Sequence, residues 1–302
     1  MSHDHHHHHT VSADADRGPL LVALALIGSL MAAEVVAGLV AGSVALLTDA
    51  GHMLTDAGAI VLGLVALRLA ARPPSGSMTY GLKRVEPLSA AINGGVLAVL
   101  ALVFTIEAVS RLLHPHDVDA ALVLVVALVA IPVNVIAVRA LSRANRESVN
   151  VEGVFQHIIT DLYAFIATAI AAIVILATGF NRADAIAALF VAALMLRAAV
   201  SLLRDSGRIF LEAAPSDIDP DLVGHELAAY PGVVSVHDLH VWEVTSGFPS
   251  LSAHVVVGWD DDCHDCRAGL EAMLHQRFGI DHTTLQVEHQ PKTLLTIEPP
   301  AR

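Results

Sequence analysis

Residues 44–69 read VALLTDAGHMLTDAGAIVLGLVALRL, an apolar run long enough to cross a lipid bilayer as a helix. Of the ionisable residues in this run, His52 and Asp56 lie towards its middle, and their spacing of four places them on one face of the helix. A second apolar run repeats the pair as His157 and Asp161. Each ionisable residue costs roughly 2.5–3.5 kcal/mol to insert into a membrane, so two matched pairs predict a functional site inside a membrane protein.

The composition of the whole chain agrees with this interpretation. Of its 302 residues, 55% are hydrophobic and the mean hydropathy is +0.62, which excludes a disordered protein and disfavours a single soluble domain. The net charge of −13 gives no basic signature of a nucleic-acid-binding protein. The apolar residues concentrate before residue 204, where they predict six membrane-spanning helices: Leu20–Ala41, Val44–Leu69, Val85–Leu112, Ala120–Leu141, Val151–Thr178 and Ala183–Leu203.

Basic residues are distributed unevenly between the loops that join these spans. They are concentrated around the loops after the second and fourth spans: Arg68, Arg72, Lys83, Arg84, Arg139, Arg143 and Arg146. Loops rich in Lys and Arg remain on the cytoplasmic side of a membrane. The sequence therefore predicts a multi-pass protein of the cell membrane with both termini in the cytoplasm.

The chain divides into three predicted regions. Residues 1–18 form a polar, disordered tail with a run of histidines that is either a native metal-gathering segment or a purification tag. Residues 19–208 form a domain of six transmembrane helices, and residues 209–302 form a cytoplasmic domain in which helix and strand patterns follow the order αββαβ. The predicted fold class is thus a polytopic α-helical membrane protein with a small α+β domain.

The two His/Asp pairs fall at matching depths in the predicted bilayer. Asp56 is the thirteenth residue of its span and Asp161 the eleventh of its own, so at ~1.5 Å per residue both carboxylates lie near the midplane. With His52 and His157 they offer two imidazoles and two carboxylates, a shell suited to tetrahedral Zn²⁺ whose charge the carboxylates neutralise. The alternative is that each pair only caps or crosslinks helices.

Three motifs accompany the pairs: TDAGHMLTD at 48–56, YGLKRVE at 80–86 and VHDLHVW at 236–242. With them, the sequence resembles the cation diffusion facilitators, six-span metal/proton antiporters of the zinc type, over residues 17–292. The resemblance implies transport from the cytoplasm outward, a Y-shaped homodimer, and a ferredoxin-like cytoplasmic domain similar to metallochaperones. It also implies that a His/Asp shell favours zinc.

The cytoplasmic region carries further candidate metal ligands. His237, His254 and His289 lie on the three predicted strands, and the resemblance implies that equivalent positions bind regulatory metal at the dimer interface. Cys263 and Cys266 form a CxxC pair, which favours soft metal ions. The alternative is that the histidines are surface or hydrogen-bonded sheet residues.

Three functions are compatible with a metal site inside the membrane. The favoured one is efflux of a divalent cation, Zn²⁺ first, in exchange for protons. An intramembrane metalloenzyme would need a general base beside the metal, and the sequence offers none. A membrane-anchored metal sensor or storage protein would need no buried charge in its anchor. We therefore expect a transporter and not an enzyme, with metal ions, protons, a second copy of the chain and the lipid bilayer as partners, and neither an organic cofactor nor nucleic acid.

Overall fold

The computed structural model describes residues 13–41, 44–114, 119–144, 146 and 148–290, and within the helices a few side chains, among them those of residues 44–52, are outside this description. The chain forms two compact units, Met1–Gly207 and Arg208–Arg302. The described residues of the first unit form six helices, the last of which ends three residues into the second unit: α1 Ala13–Ala41, α2 Val44–Ala70, α3 Val85–Leu113, α4 Ala120–Leu141, α5 Val149–Thr178 and α6 Arg182–Phe210.

These helices have the length and apolar character that a lipid bilayer requires. Five of them, α2 to α6, contain a described stretch of at least 18 residues that is apolar on average, and α1 contains the shorter apolar stretch Gly18–Ala33. Each spanning helix satisfies its backbone hydrogen bonds internally, which the hydrocarbon interior demands. The chain is therefore a multi-pass membrane protein.

Helix α1 begins earlier than the sequence predicts. We placed its start at Leu20 and treated residues 1–18 as a disordered tail, whereas the helix begins at Ala13 and passes through Pro19. The hydropathy pattern marks only the apolar part of a helix, and the residues before Leu20 are polar. Ala13 and Ala15 favour this extension, since Ala has the highest helix propensity, whereas Pro19, the seventh residue, leaves one helical hydrogen bond unmade. Residues 1–12 lie outside the described residues.

The ends of α5 are set by local side-chain chemistry. Ser148 is its N-cap, and the Ser148 hydroxyl accepts a hydrogen bond of 3.3 Å from the backbone N–H of Val151. At the other end Gly179 adopts φ +70°, a left-handed conformation that costs glycine nothing. The local sequence thus sets where helix α5, which carries His157 and Asp161, begins and ends.

Four helices of the first unit share one hydrophobic core. Leu20 and Ile27 of α1 pack there with Ile60 of α2, Ala130 of α4 and Ile158 of α5, and all of these side chains are buried. A second core joins α3 and α6. The shared core brings α2 and α5 into contact, and it is these two helices that carry the His/Asp pairs.

The second unit is a three-stranded sheet with helices on one face. Its elements after α6 are α7 Pro220–Ala228, β1 Val233–Glu243, β2 Pro249–Val257, α8 Cys263–Phe278 and β3 His282–His289. The strand order is β1-β2-β3, with β1 and β2 antiparallel and β2 and β3 parallel. This is the predicted αββαβ order, in which α8 makes the crossover that a parallel pair needs.

The core of this unit lies between the sheet and its two helices. Leu227 of α7 and Leu270 and Leu274 of α8 are fully buried against Val255 and Val257 of β2. Because side chains alternate along a strand, the residues between the core positions of β2 point to the opposite face. That opposite face carries His237 and His254, which are discussed below.

Candidate metal centre

Three side chains from α2 and α5 converge inside the membrane unit. His157 Nε2 lies 2.6 Å from Asp56 Oδ1 and 3.9 Å from Asp161 Oδ2. His157 and Asp161 are one helical turn apart on α5, and Asp56 reaches them from α2. One ligand atom from each of the three lies within 4.8 Å of the others, which is close enough for all three to bind one metal ion.

The cluster is largely withdrawn from solvent. The side chain of His157 is 3% exposed, against 17% for Asp56 and 23% for Asp161. His157 Nδ1 is buried and has no hydrogen-bond partner among the described residues. Two partly buried carboxylates beside one imidazole favour a bound cation, because like charges close together repel one another in such surroundings. A proton on His157 or a divalent metal ion provides that positive charge.

The donor set is chemically suited to zinc. One imidazole and two carboxylates are ligands that Zn²⁺ accepts at about 2.0–2.2 Å, usually with a fourth group completing a tetrahedron. The remaining residue of the predicted shell is His52, which the α2 helix carries one turn before Asp56. The side chain of His52 lies outside the described residues, so its role as the fourth ligand stays a prediction.

A second cluster forms in the cytoplasmic unit. His237 of β1 and His254 of β2 are directly opposite in the antiparallel register, and their ring centroids are 5.1 Å apart. Asp238 completes the group, with one ligand atom from each residue within 4.8 Å of the others. His237 and Asp238 are exposed and His254 is half-buried, so the cluster is accessible to solvent in the single chain.

Asp238 is a candidate ligand that the sequence analysis missed. It adopts φ +50° at a β-bulge, where the two residues Asp238 and Leu239 stand opposite Ala253 alone. The bulge interrupts the alternation of β1, so Leu239 packs into the core and Asp238 joins the histidines. The signal available beforehand was an aspartate next to a histidine in a strand, because Asp is one of the few residues that tolerate a left-handed backbone.

The third predicted histidine of this unit lies elsewhere within the protomer. His289 pairs in register with the buried Val257, so it points to the helix-covered face, while His254 points to the opposite one. His289 Nε2 lies 3.0 Å from the backbone oxygen of Asp261, and its ring lies 5.7 Å from the Trp259 ring, tilted by 58°. Within one protomer, the structure does not bring His289 to the His237–His254 pair.

The two cysteines begin helix α8. Cys263 is half-buried and Cys266 is buried in the core, where burial raises the pKa of the Cys266 thiol. A raised pKa reduces the thiolate form that binds metal. Cys263 and Cys266 belong to neither of the two clusters of three or more ligating side chains found in the described parts of the chain.

Comparison with known proteins assigns the chain to a family. Residues 20–211 match the family description "Cation efflux transmembrane domain", and residues 215–290 match "Cation efflux protein, cytoplasmic domain". The chain belongs to the cation efflux family. The predicted resemblance and the predicted fold class are thereby confirmed, and this cation efflux protein is a transporter and not an enzyme.

Several curated relatives align with this cation efflux protein along nearly its whole length. The metal cation efflux system protein CzcD of Cupriavidus metallidurans is 36% identical over 291 residues, 96% of this chain and 90% of CzcD. The zinc transporter ZitB of Escherichia coli is 35% identical over 297 residues, covering 96% and 94% of the two chains. The "cadmium, cobalt and zinc/H(+)-K(+) antiporter" of Bacillus velezensis is 33% identical over 292 residues, covering 95% and 92%.

A solved structure aligns with a quarter of the chain. It is the metal-bound C-terminal domain of the CzcD transporter from Cupriavidus metallidurans, at 40% sequence identity. The alignment covers 24% of this chain and 99% of that domain, with a TM-score of 0.23.

Proposed function

We propose that this cation efflux protein exports Zn²⁺ from the cytoplasm in exchange for protons, through a site made of Asp56, His157, Asp161 and His52. The observation that carries the proposal is the cluster of His157 with two carboxylates between α2 and α5. A relative named as a zinc transporter supports the cargo, and one named as a cadmium, cobalt and zinc/H(+)-K(+) antiporter supports exchange with protons.

Ligand chemistry links the two ions. Imidazole binds zinc only in its neutral form, and carboxylates bind it only when ionised, so zinc binding displaces protons from the site. In the absence of metal, a proton on His157 balances part of the charge of Asp56 and Asp161. One site that holds either protons or zinc, exposed in turn to each side of the membrane, gives obligatory exchange without a separate proton path.

The orientation of the chain in the membrane rests on the charge of its loops and on its C-terminal domain. The basic loops after α2 and α4 favour the cytoplasmic side, and α6 leads into the domain that the family description calls cytoplasmic. We therefore assign both termini, and the N-terminal end of α5, to the cytoplasm of a cell-membrane protein. Residues 19–208 act as the transport domain and 209–302 as the cytoplasmic domain.

The cytoplasmic domain has a regulatory role in this proposal. His237, Asp238 and His254 bind a zinc ion on the open face of the sheet, and the ion draws two copies of the acidic domain together in a homodimer. His289, on the other face, is a ligand only if the partner copy approaches it. Cys263 and Cys266 are candidates for a soft metal ion at the start of α8.

The experiment that tests the function is metal uptake by the purified protein in proteoliposomes. Zn²⁺, Cd²⁺, Co²⁺ and Mn²⁺ are supplied separately outside vesicles with an acidic interior, and internal metal is recorded with a fluorescent chelator. We expect Zn²⁺ to accumulate, and to accumulate less once the pH gradient is collapsed. No uptake of any of these ions in intact vesicles would contradict the proposal.

A further inference from the structure

Two helical turns from the metal cluster, α2 and α5 meet at a second polar contact. Asn150 Nδ2 donates a hydrogen bond of 3.0 Å to the backbone oxygen of Gly63. Asn150 precedes His157 by seven residues, and Gly63 follows Asp56 by seven, so the contact lies roughly 10 Å along the antiparallel helices from the cluster. On α5 it lies towards the N-terminal end.

The helices touch closely at this point. Asn150 is 0% exposed, and a Cβ atom at Gly63 would approach Val154 Cγ2 to 3.2 Å and Asn150 Oδ1 to 3.4 Å. Glycine therefore permits an approach that a larger residue would prevent. Within the cluster itself, Asp56 is 17% exposed and Asp161 is 23% exposed. The α2–α5 interface is thus closed on the side of Asn150, whereas the carboxylates of the cluster itself stay partly exposed.

In the contact between Asn150 and Gly63, the amide nitrogen of Asn150 is hydrogen-bonded, but its amide oxygen has no donor within the described part of the chain. Asn150 Oδ1 is buried and receives no hydrogen bond from any residue that the structure describes. A buried acceptor without a donor is destabilising, and water would satisfy it once the helices separate. By contrast, the neighbouring Ser148 hydroxyl donates a hydrogen bond of 2.7 Å to the buried Glu86 carboxylate of α3. Hydrogen bonds to a carboxylate are stronger than those between neutral groups. Of these two contacts, the one between Asn150 and Gly63 is the easier to open.

We propose that Asn150 and Gly63 form an inner latch that closes the cytoplasmic end of the zinc path while the site faces outward. Asn150 is then a positioning residue of the transport cycle, because it sets the separation of α2 and α5 without ligating the metal. Opening the latch breaks one hydrogen bond and hydrates two polar groups. The inference rests on the proposed function for its direction and for the identity of the ion.

Accessibility of a single cysteine tests the latch. Val154, 0% exposed and placed between Asn150 and His157, is replaced by Cys in full-length protein whose Cys263 and Cys266 are Ser. A membrane-impermeant methanethiosulfonate reagent is added to one side of oriented vesicles, and the labelling rate is measured. Asn150→Ala removes the hydrogen bond, and Gly63→Ala tests the same contact from the other helix.

We expect both variants to label faster from the cytoplasmic side, by about 3- to 10-fold, which is the shift in an equilibrium that one hydrogen bond supports. The rate from the outer side should not rise. Gly58→Ala on the same helix is the matched control, since a Cβ there meets nothing within 4 Å, and it should change neither rate.

Two results would overturn the latch: unchanged labelling in both variants, or an equal rise from both sides, which would indicate general loosening of the bundle. The labelling needs no metal flux, so it is independent of the test of function. Absence of zinc uptake by the unsubstituted protein would contradict the proposed function, while a one-sided rise in labelling would still support the latch.

Discussion

Replacing Asp56 with Asn tests the membrane site with the least change in shape. The substitution removes one negative charge and keeps an oxygen that can accept from His157, which lies 2.6 Å away, so the bundle should still assemble. Loss of a group that merely orients a metal ligand costs 10- to 100-fold in metal affinity. Loss of a direct ligand together with its charge should therefore cost at least about 100-fold, or about 2.7 kcal/mol.

The measurement is calorimetric titration of zinc into detergent-solubilised protein that lacks residues 2–12 and carries His254→Ala, so that neither the histidine run nor the cytoplasmic cluster contributes. Asp184→Asn is the control: Asp184 is 22% exposed, close to the 17% of Asp56, and accepts a hydrogen bond of 3.2 Å from Arg111. That exposed pair is worth at most about 1 kcal/mol of stability and should not affect zinc. Asp56→Asn protein that binds and transports zinc like the unsubstituted chain would refute the assignment.

Three further predictions concern the selectivity of the site and the cytoplasmic domain. His157→Asp should raise uptake of Cd²⁺ or Mn²⁺ relative to Zn²⁺, because oxygen replaces imidazole, and an unchanged ratio would remove His157 as a selectivity determinant. His254→Ala should abolish zinc-dependent dimerisation in light scattering of full-length protein, whereas His275→Ala, on the exposed surface of α8, should not. Backbone N–H groups at the start of α8 donate to the Asp262 carboxylate and lower its pKa below that of the unfolded chain, ~3.9. The ionised carboxylate therefore stabilises the fold at pH values above ~3.9, and this stabilisation is lost as the pH falls through the depressed pKa of the folded state. Asp262→Ala should accordingly lower the melting temperature at pH 7, with the difference from the unsubstituted protein vanishing at strongly acidic pH.

Much of the fold follows from periodicity and hydropathy alone. The span Ala120–Leu141 and the helix Cys263–Phe278 match the observed elements, because each is bounded by an N-cap aspartate that the local sequence displays. The start of α1 at Ala13 could not be predicted in this way, since hydropathy does not respond to a polar helical turn that continues an apolar one. The same limit applies to α6, which continues to Phe210, beyond the predicted end at Leu203.

The sequence predicts the candidate ligands that occur in a repeated motif, but it does not predict those whose position depends on backbone geometry. The spacing of His157 and Asp161 predicts a shared helix face, and the contact with Asp56 follows from antiparallel packing at equal depth. Asp238 becomes a candidate ligand only through a β-bulge, whose position depends on pairing with a distant strand. The contact of Asn150 with Gly63 likewise depends on how closely two helices approach, which no pattern within either helix specifies.

Coupled flux is the most direct test of zinc/proton exchange at this site. Zinc uptake and the pH of the vesicle lumen are recorded together in proteoliposomes with an acidic interior, for the unsubstituted protein and for Asp161→Ala. We predict that each addition of zinc raises the luminal pH in step with zinc entry, and that Asp161→Ala abolishes both signals. Zinc entry with no change in luminal pH would contradict proton exchange, and coupled flux that persists in Asp161→Ala would contradict the assignment of the site.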